Sequence, residues 1–374
     1  MSTTVLKNGL VFTPDGSFEP LDIAFSEGII TEVSASLPGG GETVDCSGCY
    51  VLPGLTDVHL HGCAGADFGS GTEEAFDRIC RYEYSRGVTA VCPTLMTMPD
   101  EELTSLLGRL SRYASEKRPG CAEVIGIHAE GPFISPKKCG AQSREHIQEP
   151  SADRLGHWIE ASDGLLRVMT AAPEIGGVTE LIGQFSGRLH FSLGHTACTY
   201  AEAMAAFEAG ADHLTHLFNA MPPFHHRETG AIGAALDTPS CFAELICDGV
   251  HVSPAAVKAA FAMFGSRRIV LISDSMEAAG MPDGEYSLGG QRVVKQGSRA
   301  VLADGTLAGS VSTLYDCMIQ AVRMGIPLAD AVRAAAENPC RSVGCFDRTG
   351  STEPGKTAHF LILGQDDLGI RKVI

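Results

Sequence analysis

The chain has no apolar run approaching the roughly 20 residues that a membrane-spanning helix needs. Its first residues, Met1-Ser-Thr-Thr-Val-Leu-Lys-Asn-Gly9, lack the basic segment and apolar stretch of a secretory signal. Cations are in deficit. Lys and Arg number 28 against 45 Asp and Glu, a formal net charge of −17 that argues against nucleic acid or an anionic membrane surface as partner. A small anionic substrate stays compatible with this balance if a local cationic pocket exists. A disulfide framework is missing too. The 13 cysteines are odd in number, scattered, and often set in apolar runs (Cys92, Cys241, Cys247), where a thiol acts as a small hydrophobe. The one Cys-x-x-Cys, Cys46-Ser-Gly-Cys49, has no second pair to complete a zinc ribbon. These absences point to a reducing, cytoplasmic setting. Internal repeats and low-complexity tracts are absent as well. The 374 residues, 44% hydrophobic, suit a large barrel plus a smaller domain.

What is present is organised around Val51-Leu-Pro-Gly-Leu-Thr-Asp-Val-His-Leu-His61. An extended chain alternates its side chains, so His59 and His61 fall on one face, with Asp57. Seven further β-like runs follow: Val88–Leu95, Ala122–Glu130, Leu165–Ala171, Leu189–Gly194, Asp212–His216, Phe242–Asp248 and Arg268–Asp274. Helical patterns separate most of them, at Thr72–Arg86, Asp100–Glu116, Ser151–Ser162, Pro173–Phe185, Thr199–Ala209 and Ser253–Phe264. Ser253-Pro254 reads as an N-cap followed by proline, and Thr199-Tyr-Ala-Glu202 as a capping box. Eight β/α alternations predict an α/β fold, a (β/α)8 TIM-like barrel. A β-rich insertion of hairpin type is expected over residues 285–304, then helices near Ser312–Met324 and Pro327–Asn338. Residues 1–51 and 344–374 are both β-like and are expected to pair into a small β-sandwich domain built from the two termini, with the barrel, 52–343, between them.

Catalytic groups of such barrels sit at the C-terminal strand ends. Here those ends carry His59 and His61, Glu130, His195, His216 and Asp274. His213 lies three residues before His216, faces the other way in a strand, and is read as structural. Imidazole plus carboxylate suits zinc or iron better than magnesium or calcium. With Glu130 bridging, His59 and His61 complete one metal position and His195 and His216 the other. A bound divalent metal lowers the pKa of its water to about 7 and yields a hydroxide nucleophile. Asp274, the remaining carboxylate, is the expected acid/base. Phe224-His-His-Arg227 is a small cationic cluster, and a guanidinium grips two phosphate oxygens at once.

Pro53-Gly-Leu-Thr-Asp-Val-His-Leu-His-Gly62 resembles the first-strand signature of the amidohydrolase superfamily. Many binuclear members bridge their metals with a carboxylated lysine on strand four, and Leu165-Leu-Arg-Val-Met-Thr-Ala-Ala-Pro-Glu174 has none. His128-Ala-Glu-Gly-Pro-Phe133 instead resembles the N-acetylglucosamine-6-phosphate deacetylase family. So do Ser192-Leu-Gly-His-Thr196, Thr215-His-Leu-Phe-Asn-Ala-Met-Pro222, Asp248-Gly-Val-His251, Ser273-Asp274 and Thr306-Leu-Ala-Gly-Ser310. The resemblance implies the same metal ligands and Asp274 as the catalytic acid/base. It implies sugar-phosphate contacts from Asn219, the backbone of Ala220, Arg227 and His251, with Ala141, Gln142 and His226 beside them and Leu307 in a closing loop. It further implies one or two divalent metals per subunit (zinc or iron, with manganese or cobalt also acceptable). A homodimer, in which the Arg227 region reaches a neighbouring active site, is implied too. Where many relatives carry His, this chain has Gln142, which donates a hydrogen bond but cannot act as an acid.

The expected function is hydrolysis of N-acetylglucosamine 6-phosphate to glucosamine 6-phosphate and acetate. The alternatives are deacetylation of another N-acetylated sugar phosphate, such as the galactosamine epimer, a deaminase or cyclic amidase, and a non-catalytic sugar-phosphate binder.

Overall fold

The computed structural model describes residues 3–39 and 41–374. Eight parallel strands form the barrel wall: Leu55–Leu60, Val88–Leu95, Ile127–Glu130, Leu166–Ala171, His190–Leu193, His213–Leu214, Phe242–Ile246 and Ile269–Ile272. Each is hydrogen-bonded to the next in chain order. The ring closes at its C-terminal end. There Asp274 N donates to His59 O at 2.9 Å, and His61 N donates to Ser275 O at 2.8 Å. Every residue of Val88–Leu95 is buried, as expected for a parallel strand covered on both faces.

The run from Val51 to His59 is not one strand. Cys49–Pro53 pairs antiparallel with Phe360–Gly364, and Leu55–Leu60 opens the barrel. Gly54 makes the junction possible, because a Cβ there would lie 2.2 Å from Thr89 Oγ1. One glycine thus passes the chain from one sheet to the other. The termini share a seven-stranded mixed sheet, to which the first 45 residues give four strands and Phe360–Gly364 and Ile370–Val373 two more. Leu6, Val11, Ile23, Ile30, Val51, Phe360 and Ile362 gather in an apolar core of their own there.

The helices begin where the capping residues predict. Thr72, Ser151 and Ser253 accept backbone N–H bonds, and Thr199 with Glu202 forms the full capping box. One helix escaped the sequence reading, Gly230–Asp237. It is small-residue rich and buried from Gly230 to Ala235, so it shows no amphipathic stripe. The insertion is a three-stranded sheet, Gly284–Leu288, Gln291–Gln296 and Arg299–Val301, rather than a simple hairpin. The expected helix Pro327–Asn338 runs instead as Leu328–Val332, a π turn over Arg333–Glu337, and Asn338–Ser342. Arg333 lies over the Phe12 ring at 5.9 Å, tying this segment to the terminal sheet. None of the described helices is long and apolar enough to cross a membrane.

Glu83, on the helix Glu73–Ser85, is fully buried, and neither carboxyl oxygen has a hydrogen-bond partner among the described residues. Burial above all, with the nearby Asp57 charge, pushes its pKa up from 4.5 to about 8. The sign follows from linkage. Below its unfolded value the group is protonated in both states. As pH rises toward about 8 the unfolded chain releases the proton first, and stability falls. Glu83→Gln removes this loss. Its melting temperature should exceed that of the unsubstituted chain, by a margin that widens between about pH 5 and about pH 8. Scanning calorimetry across that range checks it, and a margin independent of pH would contradict the assignment.

Candidate active site

Six side chains converge at the C-terminal mouth of the barrel: His59, His61, Glu130, His195, His216 and Asp274, none more than 8% exposed. Glu130 ends the third strand and stands at the centre. Its Oε1 faces His195 Nε2 at 2.9 Å, His216 Nε2 at 3.2 Å and His59 Nε2 at 3.4 Å. Its Oε2 faces His61 Nε2 at 3.4 Å. Asp274 Oδ1 stands 3.2 Å from His61 Nε2 and 3.6 Å from His59 Nε2. Burial works against charge on both carboxylates. The fields of His59 and His195 on Glu130, and the His61 contact and the fields of His59 and His61 on Asp274, outweigh it and hold both below the ordinary carboxyl range.

The backbone is bent to deliver these groups. His195, His216 and Asp274 have φ of 46°, 27° and 49°, and the adjacent Phe218 and Ala220 have 78° and 50°. Left-handed backbone at a residue with a Cβ costs on the order of 1–3 kcal/mol. It turns each strand end sharply inward. It also explains why the sixth strand stops at Leu214, two residues before the expected His216.

The ring orientations are fixed from behind. His61 Nδ1 donates to Thr94 O at 3.1 Å, His195 Nδ1 to Lys138 O at 3.0 Å, and His59 Nδ1 to Glu244 Oε2 at 2.9 Å. Each Nδ1 therefore carries a proton, and each Nε2, once free of any second proton, presents a lone pair to the centre. His195 Nε2 and His216 Nε2 lie only 3.1 Å apart, and His59 Nε2 has no hydrogen-bond partner. Lone pairs and carboxylate oxygens converging in a buried space are mutually repulsive unless a cation stands between them. The donors fit such an ion, since His59, His61 and Glu130 form one cluster and Glu130, His195 and His216 another. His128 is excluded as a ligand. Its Nδ1 donates to Val58 O at 3.3 Å and its Nε2 accepts from Thr170 Oγ1 at 2.7 Å. His213, read as structural, pairs with Asp212 at 2.6 Å, outside this constellation.

A cavity of about 360 Å³ opens above the cluster. Ala141, Gln142, Asn219, Ala220, His251 and Leu307 line it, alongside Lys137 and Lys138, which the sequence reading missed. A Lys-Lys pair so soon after the Glu130 motif could have signalled them. Gln142 is occupied at both ends. Its amide donates to Glu130 Oε2 at 2.6 Å, and its carbonyl accepts from Thr97 N at 2.7 Å. It therefore holds the second Glu130 oxygen in place. His251 is anchored through Nδ1 to Asp248 at 2.7 Å. His226 and Arg227 do not line the cavity of the single chain. They lie exposed on a loop, where Arg227 Nη1 donates to His226 Nε2 at 2.7 Å.

The geometry predicts an order of metal loss. His61→Asn should lower metal content toward one ion per chain, whereas Glu130→Ala, which breaks both clusters, should leave close to none. Elemental analysis of the purified variants checks this, and full metal loss in His61→Asn would contradict the division into two clusters.

Known proteins share the sequence and fold of this chain. The sequence profile of the amidohydrolase family matches residues 50–374. The N-acetylglucosamine-6-phosphate deacetylase of Bacillus subtilis is 37% identical over 366 residues, covering 97% of this chain and 90% of the relative. An N-acetylgalactosamine-6-phosphate deacetylase of Escherichia coli O157:H7 is 34% identical, covering 96% of this chain and 95% of the relative. A solved structure of N-acetyl-D-glucosamine-6-phosphate deacetylase from Mycobacterium smegmatis, a variant in complex with N-acetyl-D-glucosamine-6-phosphate, superposes with a TM-score of 0.93 at 31% identity, covering 100% of this chain and 98% of that one. Binding of a divalent metal is typical of the family. The chain belongs to the amidohydrolase family and, within it, to the N-acetylglucosamine-6-phosphate deacetylases.

Proposed function

We propose that this chain hydrolyses N-acetylglucosamine 6-phosphate to glucosamine 6-phosphate and acetate. The observation that carries the reading is the pairing of one free carboxylate, Asp274, with the Glu130–imidazole cluster at the floor of a cavity whose wall carries Lys137, Lys138 and His251. The metal, zinc or iron on this donor set, would be held by His59, His61 and Glu130 and by Glu130, His195 and His216. When bound it acidifies water and polarises the amide carbonyl.

The residues of the chain divide the remaining work. Asp274 faces the cluster from the eighth strand end and is mostly buried. It takes the proton of the attacking water and returns it to the departing amine. Gln142 fixes Glu130, and Asn219 and His251 orient the sugar. The cationic side chains give an otherwise acidic protein a local site for the phosphate, and binding it places the acetamide over the cluster. In this reading residues 52–343 form the catalytic barrel and residues 1–51 with 344–374 the β domain. The protein acts in the cytoplasm, and a homodimer brings His226 and Arg227 of a second copy toward the cavity. The exposure of that loop, including Phe224 at 45%, supports the last point.

Acetate release from N-acetylglucosamine 6-phosphate, its galactosamine epimer and the unphosphorylated sugar tests the reading. The phosphorylated gluco substrate should have the highest kcat/KM, with little turnover of the unphosphorylated sugar. A preference for the epimer would move the assignment to the galactosamine phosphate, and equal use of the unphosphorylated sugar would contradict the phosphate site. Asp274→Asn should keep its metal and lower kcat by about 10²–10⁴-fold. Undiminished turnover in that variant would remove Asp274 from its role.

A further inference from the structure

Glu244 lies in the middle of the seventh strand, Phe242–Ile246, at 1% exposure, beneath the metal cluster. A carboxylate buried there needs a reason. Its Oε2 accepts two hydrogen bonds, from His59 Nδ1 at 2.9 Å and from the backbone N–H of His216 at 3.2 Å. The neighbouring backbone joins in, since Leu217 N donates to Glu244 O at 2.8 Å. One residue therefore grips a ligand from each of the two clusters: the ring of His59 and the strained main chain of His216.

The contacts behind the other rings are weaker in kind. His61 and His195 each donate to a neutral carbonyl, of Thr94 and Lys138, and His216 Nδ1 has no partner among the described residues. Of these four rings, only His59 is backed by a carboxylate among the described residues. A carboxylate behind an imidazole fixes the tautomer and the ring plane and makes the opposite nitrogen a better donor, worth about 10–100-fold in metal affinity. The His128 ring, packed edge-on at 4.7 Å, closes the other side of His59.

We infer that Glu244 is a positioning residue that sets the affinity of the His59–His61–Glu130 cluster for its metal, and so whether a second ion is held beside the Glu130–His195–His216 ion. The inference rests on the metal-dependent reading above. It gives that reading a specific cause for double occupancy, located one layer below the ligands. The His216 contact is the secondary effect, because it acts through a main-chain N–H rather than through a donor nitrogen.

Calorimetric zinc titration of the metal-free protein tests it, read alongside the melting temperature of each metal-free variant. Unsubstituted protein should bind two ions. Glu244→Gln, which keeps the shape and an acceptor oxygen but loses the charge, should weaken the second ion about tenfold. The first ion and the metal-free melting temperature should change little. In a His59→Asn background the same substitution should have no further effect on zinc binding, because the ring it acts through is gone. Glu244→Ala should be the more severe change. If it does not fold, the Gln variant decides. Two ions with unaltered affinities in Glu244→Gln would overturn the inference, as would an undiminished effect in the His59→Asn background. Absence of zinc binding by the unsubstituted protein would overturn the metal reading itself, and this inference with it.

Discussion

Everything at the mouth of this barrel depends on one buried carboxylate, Glu130, placed against four imidazoles. Three of those rings carry a proton on the far side, so the nitrogens near Glu130, when not themselves protonated, are acceptors facing acceptors. That arrangement is unfavourable as a bare constellation and favourable around a cation. The left-handed backbone at His195, His216 and Asp274 adds to its cost. The fold sustains both because the barrel floor beneath is closely packed and hydrogen-bonded. A second strand with no exposed residue, a Thr170–Thr215 hydroxyl pair and the neutral His128 leave no slack for the rings to turn away.

Charge distribution gives the second constraint. A protein of net charge −17 repels anions at long range. Recognition of a phosphate ester would then have to be local, and the cavity wall carries Lys137, Lys138 and His251. The same cavity has an apolar side of Met96, Ala141, Leu288 and Leu307. A polar floor, a cationic rim and an apolar flank match an N-acetylated sugar phosphate better than a cyclic amide without a charge.

Much of this was legible in the chain. The alternation of β and α signals located all eight barrel strands, because each is short, apolar and bounded by turn or capping residues. The convergence of the six candidate side chains was legible because a histidine or carboxylate that follows an apolar barrel strand is delivered to the strand's C-terminal end. What stayed hidden was what neighbouring strands do to each other. The break at Gly54 depends on its distance from Thr89, which no local pattern encodes. The helix Gly230–Asp237 is buried nearly all round and lacks the polar face that marks a helix. Gln142 is expected as a substrate contact and lines the cavity, but its bonds to Glu130 and Thr97 could not be read from the chain. Glu244 sits mid-strand within Phe-Ala-Glu-Leu-Ile, where a carboxylate reads as an anomaly until the ring of His59 is seen beside it.

The central claim is that Glu130 is shared between two metal positions. Anomalous scattering from crystals of the metal-loaded protein tests it most directly. The account predicts two anomalous peaks flanking the Glu130 carboxylate, one against His59 and His61 and one against His195 and His216. A single peak with His59 and His61 turned away, or metal bound elsewhere with Glu130 uncoordinated, would contradict it.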